Sequence, residues 1–198
     1  MEIDFYRNRE TGTHINKLGL NNDLLAMKMQ EMADAATKDI NILGTFDSRH
    51  ISAIHRHMFK DVFFWAGEMM SLPPAINESS ARSYAHMFDR QVAPLRYIRH
   101  GVRPDAFAER VGATLSKVAQ TPPFYLGTDH ALRGFTRLLA KRAGYNWDRP
   151  EMSAGRRGQW GSAWQEANAD NPKAMIDFVR GGVISRSNTI WRNMQIVR

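Results

Sequence analysis

Charge-bearing side chains crowd one stretch of this sequence. Asp129 and His130 are neighbours, and Arg133, Arg137 and Lys141 recur every four residues, which sets the three cations in one stripe if the segment is helical. A carboxylate or an imidazole can take a proton from a hydroxyl, and an arginine can grip a phosphate through parallel N–H bonds. Gly127 and Thr128 stand just ahead, where a turn into a helix would aim free backbone N–H groups at an anion. His55 and His57 are two apart and fall on different sides of a helix. With no HExxH and no acidic cluster, no metal site is expected.

Helices must position these groups. The apolar residues Phe107, Val111, Leu115 and Val118 mark a helix over 104–120, and Leu132, Phe135, Leu138 and Leu139 mark another over 128–143, with Thr128 as its N-cap and Gly144 as its stop. Further helices are predicted over 23–42, 48–60, 156–168 and 172–179. In the first of these Leu24, Leu25, Met27, Met29, Met32, Ala35 and Ala36 form one broad face. Extended structure is expected only near 68–76, where Pro73 and Pro74 limit it to an edge hairpin.

At 198 residues, 43% of them hydrophobic, the chain is long enough for one domain with a real core. It is read as an all-α domain over 1–183 with a basic tail over 184–198. The absence of cysteine excludes disulfides, cysteine ligation of metals and a thiol nucleophile. A balance of 27 Lys+Arg against 20 Asp+Glu favours acidic partners, but nucleic acid is not expected on charge alone. No apolar run is long enough to span a membrane, and the acidic first residues are unlike a signal peptide.

Consecutive segments resemble the Fic (Fido-fold) family. Thr11-Gly12-Thr13 and Asn16-Lys17-Leu18-Gly19-Leu20 look like its entry segment. The run from Ile54-His55 through Phe59, Asp61 and Trp65-Ala66-Gly67-Glu68 is similar to its "IH..lF.dvY.WAGe" stretch, and Phe124 to Gly144 looks like its active-site loop and helix. The resemblance implies a Fido-type helical domain with a short β-hairpin flap, and transfer of AMP from ATP onto a protein hydroxyl. It also implies a loop reading HxFx(D/E)GN(G/K)RxxR, with histidine as base, the acidic residue holding magnesium, and glycines and arginines cradling phosphate.

In that register Pro122 takes the base position, Leu126 the metal-holding position, Thr128 the asparagine, Asp129 the second glycine and His130 the first arginine, while Phe124, Gly127 and Arg133 are kept, and the resemblance implies Arg133, Gly127 and Thr128 as the anion-binding residues. A general base contributes about 100-fold to 10,000-fold, and proline cannot replace it. Leucine has no oxygen for a hard cation. Asp129 in the first helical turn would compete with phosphate for the same amides. No catalytic residue and no cofactor are therefore expected, and the reading is a catalytically degenerate Fic-fold protein that binds a protein partner or an anionic ligand, toxin-related or an effector.

The alternative is a Fido-fold transferase with altered chemistry and a nucleotide or nucleotide-sugar donor. There His130 or Asp129 carries the proton, Arg133 grips phosphate, and ATP with magnesium enters. Against it, His130 reads more readily as a locally bonded histidine than as a base, while Arg137 and Lys141 read as a solvated face and His55 as structural. Met69, Met70 and Leu72 correspond to the flap that would dock a partner chain. Ser162 and Glu166 have the spacing of the family's inhibitory (S/T)xxxE(G/N), but Ala167 breaks it. The resemblance places the protein in a bacterial cytoplasm, or in a host cell reached without a cleavable signal peptide.

Overall fold

The computed structural model describes residues 6–38, 40–70, 84–147 and 154–185. Within them the elements are α1 (Asn22–Lys38), α2 (Ser48–Phe59), α3 (Tyr84–Val92), a 3-10 helix (Ala93–Tyr97), α4 (Pro104–Gln120), α5 (Thr128–Ala143), β1 (Tyr145–Trp147), α6 (Ala154–Asn168), α7 (Pro172–Gly182) and β2 (Val183–Ser185). The all-α expectation holds. The two short strands pair antiparallel, Tyr145 opposite Ser185 and Trp147 opposite Val183, so the chain stays tied to the body past residue 183.

The central helix is α5, whose only part-exposed stretches are at its two ends and at Arg137. Leu132, Phe135, Leu139 and Ala140 are buried on it, against Ile51, Ile54, Met58 and Phe59 from α2 and Phe107, Val111 and Leu115 from α4. Close approach is possible because Gly134 has no side chain: a Cβ there would come within 2.9 Å of the Met58 methyl and 3.0 Å of Ile40. Gly112 does the same for α4 and α7, where a Cβ would lie 2.5 Å from the Ile176 backbone. The α6–α7 pair is a tight helical hairpin. Asn171 caps α7 by accepting from the Lys173 amide and donates to Glu166 at 2.9 Å.

Two sequence expectations change in the structure. Along α1 the buried residues are Leu25, Met29, Ala33 and Thr37, while Leu24 and Met27 are exposed, so the buried stripe is narrower than the expected face. The segment 84–92, for which no element was predicted, is helical, with Phe88 and Val92 buried one turn apart. Of the flap expected over 68–76, residues 68–70 carry no regular structure, and the rest, Leu72 included, lies outside the described residues. Among the described residues no helix is long and apolar enough to cross a membrane.

Candidate functional site

The loop 121–127 turns into α5 over a buried aromatic floor. His55, on α2, is its pin. The Gly67 N–H donates to Nδ1 at 2.8 Å, so the ring proton sits on Nε2, which donates to the Leu126 carbonyl at 2.9 Å. The imidazole stacks on Phe124 at 4.0 Å between centroids. Loss of solvent around this fully buried ring lowers its pKa to about 4, against the small upward pull of the Leu126 bond. His55 is thus a neutral clasp joining the Trp65-Ala66-Gly67 turn to the loop, in agreement with its structural reading.

Gly127 closes the turn. Its φ of +80° is left-handed, and an added Cβ would lie 2.6 Å from the Phe59 ring and 3.2 Å from His55 Nε2. Gly127 occupies the N-cap position of α5, and Thr128, expected there, is instead the first helical residue. The Thr128 hydroxyl is buried and engaged with Phe124, accepting from its N–H at 3.2 Å and lying 3.3 Å from its carbonyl. It holds the loop's shape rather than offering a donor to a ligand. Tyr125 reaches the other way and stacks on Tyr6 at 4.4 Å, so the N-terminal segment covers the loop.

Asp129, His130 and Arg133 do come together. The His130 Nδ1 lies 3.8 Å from the Asp129 carboxylate and accepts from the Arg133 guanidinium. Arg133 is 5% exposed and spans from α5 to α1, 3.7 Å from Asp34 and 3.4 Å from Gln30. With Nδ1 occupied by an arginine donor, His130 has no free acceptor facing that cluster. Asp129 keeps a third of its side chain exposed. Burial raises its pKa, while the Arg133 charge, its own backbone N–H and Trp160 oppose the rise. The self-contact with its amide is the competition for helix N–H groups that the sequence implied.

The remaining basic residues of α5 have other partners. Arg137 donates to the Thr37 carbonyl near the end of α1, and Lys141 reaches the Asn41 side chain at 3.2 Å. Of the expected solvated face, Arg137 is instead a part-buried tie from α5 to α1, while Lys141 stays exposed as it reaches Asn41. Asp34 and Gln30 are the site residues that sequence reasoning missed, and their spacing on α1 carried no signal, because the contact spans about a hundred residues. Met70 donates from its backbone to the Pro123 carbonyl at 2.8 Å, tying the start of the flap to the loop, and Met69 packs on the core. Leu126 offers no oxygen side chain where the resemblance asks for a metal ligand. Among the described residues no group of three His, Asp or Glu could hold a metal. These residues do not fit a protein-held magnesium ion.

The mostly helical body matches solved Fic domains in overall fold. The Fic domain of a VirB-translocated effector from Bartonella quintana matches with a TM-score of 0.68 at 19% identity, over 98% of this chain and 97% of that one. BepC from Bartonella tribocorum, solved with bound AMPPNP, matches with a TM-score of 0.70 at 19% identity, over 91% and 97%. No family model matches the sequence.

Among curated proteins the chain is 32% identical over 162 residues to protein adenylyltransferase VbhT of Bartonella schoenbuchensis, which spans 75% of this chain but 33% of VbhT. It is 26% identical over 134 residues to probable protein adenylyltransferase y4lH of Sinorhizobium fredii, covering 62% of this chain and 67% of that protein. The fold is that of the Fic domain, and the chain spans about a third of VbhT's length. The comparisons also correct the expectation of a degenerate binding protein: the similar curated chains are named adenylyltransferases and a matching fold holds an ATP analogue, which favours the transferase reading.

Proposed function

We propose that this chain is a Fic-type transferase with altered chemistry, which moves a phosphate-containing group from a nucleotide or nucleotide-sugar donor onto a protein hydroxyl. The observation that carries the reading is the Asp129–His130–Arg133 cluster at the start of α5, where the resemblance locates the phosphate end of the site. Asp129 is the proton acceptor. Its carboxylate is part exposed and stands beside His130 and Arg133, so a hydroxyl could reach it. Arg133 grips the donor phosphate by exchanging its contacts with Asp34 and Gln30, and His130 aligns the guanidinium. The attacking hydroxyl loses its proton to Asp129 as its oxygen bonds to phosphorus, and the rest of the donor departs with the other phosphate. No step passes through a protein-held metal.

Delivery into a host cell is part of the proposal, supported by solved neighbours described as VirB-translocated Bartonella effectors. The test is transfer to lysate proteins from a panel of nucleoside triphosphates and nucleotide sugars, read as a mass increment. Asp129→Asn should slow transfer by about 100-fold or more, and the wild-type rate should climb with pH through a carboxyl pKa above the ordinary value. Arg133→Lys should raise the donor's apparent KM. Absence of transfer from every donor, or an Asp129→Asn variant of full activity, would overturn the assignment.

A further inference from the structure

Trp160, on α6, holds a buried donor that the proposed reaction has not used. The residue is 3% exposed. Phe178 of α7 meets its ring edge-on, with centroids 5.4 Å apart and planes at 72°, and Trp164 lies nearly parallel to it at 6.3 Å. A phenylalanine can make ring contacts of this kind; what the indole adds is an N–H. That Nε1 is buried and makes no hydrogen bond of normal geometry among the described residues. A donor left so in an interior is costly. The acceptor within its reach is the Asp129 carboxylate, close enough for the indole to pull that group's pKa down. Asp129 also faces, from α5 itself, its own backbone N–H, the Arg133 guanidinium and His130 Nδ1 at 3.8 Å. Asp34 of α1 reaches only as far as Arg133, at 3.7 Å.

We infer that Trp160 is a positioning residue of the transfer reaction: its indole N–H closes on one carboxylate oxygen of Asp129 and leaves the other to take the proton of the attacking hydroxyl. The inference rests on Asp129 as the proposed base and adds the side chain that aims it. Arg133 is turned toward Gln30 and Asp34 and must change partners to grip a donor phosphate, so it cannot also hold the carboxylate in one rotation. Trp160 is fixed by its packing on Phe178 and stays in place whether a donor is bound or not. A bond from a neutral N–H to a carboxylate favours the ionised form, which keeps a group whose pKa burial has raised able to accept a proton. The contact also couples α6 to the start of α5, so the orientation of the base depends on a helix outside the loop that carries the family resemblance.

The indole reports on this bond directly. In the isotope-labelled full chain the Trp160 signal, one of five tryptophan indole signals, should move with pH as Asp129 ionises, and in Asp129→Asn it should stay still. Trp160→Phe keeps an aromatic ring against Phe178 and removes the donor. The pKa of Asp129, followed on its carboxyl carbon signal, should then rise, because the lost bond had favoured the anion. A Trp160 that only filled space would admit water when shortened, and the pKa would fall. In transfer assays the same variant should lower kcat several-fold, leave the donor's KM unchanged, and carry the midpoint of the pH–rate curve up with the Asp129 pKa. An indole signal that ignores the ionisation of Asp129, or an Asp129 pKa that falls or stays in Trp160→Phe, overturns the inference even where transfer is intact. Transfer from no donor while the indole still titrates overturns the transferase reading instead, and Trp160's part in the reaction with it.

Discussion

Gly127 bears a constraint that no other residue type can meet. Its left-handed φ and the 2.6 Å gap to the Phe59 ring act together, so Gly127→Ala adds backbone strain to a clash with a buried ring that has nowhere to move. Strain of this kind costs about 1–3 kcal/mol before the clash is counted. The expected result is a denaturant midpoint lowered by that much at unchanged m-value, with donor binding weakened because the turn before Thr128 shifts. An unchanged midpoint would mean the turn is softer than its contacts indicate. Asp129 belongs to the same scale, since the proposed transfer assigns proton acceptance to this one carboxylate.

Helix packing poses a different test. The α4–α7 contact depends on Gly112 facing the Ile176 backbone, where a Cβ's 2.5 Å approach would be to main chain and cannot be relieved by a rotamer change. Gly112→Ala must push the helices apart, at about 1–3 kcal/mol for overpacking, less the smaller gain in helix propensity. Net destabilisation is expected, measurable as a lower thermal midpoint, with transfer activity at low temperature retained because the loop rests on α2 and α5. A variant as stable as the parent would show that α7 can slide. Along the α1–α5 seam, Arg133 and Arg137 bind α1 rather than solvent, so a change in α1 is felt at the phosphate end of the site.

For the molecule as a whole, acid should be destabilising well above the carboxylate range. Burial lowers the pKa of both His55 and His50. A histidine with a folded pKa below its unfolded value makes its full contribution above pH 6.5 and loses it as pH falls toward the folded value. For His55, from 6.5 to about 4, the loss comes to about 3 kcal/mol. Urea unfolding at pH 7.5 and pH 4.5 should show it. His55→Gln should be less stable at pH 7.5 and show a flatter pH dependence; an equally steep curve would mean that other groups set the acid limit.

Periodic burial is what made α4 and α5 legible in advance: one side of each helix must be apolar over four turns, and that constraint is written locally. No element was predicted for α3, although Tyr84, Phe88 and Val92 recur every four residues in it, and the expected face overshot in α1, where Leu24 and Met27 fit the period yet are exposed. The sequence by itself also determined which groups stand at the start of α5, because adjacency along the chain is preserved on folding. Only the tertiary structure decided what those groups can do. It set Asp34 and Gln30 against Arg133 and used up the His130 nitrogen. It buried the Thr128 hydroxyl against Phe124 and left Asp129 open. Ionisation and hydrogen-bond capacity depend on neighbours brought in from distant segments, and residue order does not encode those distances.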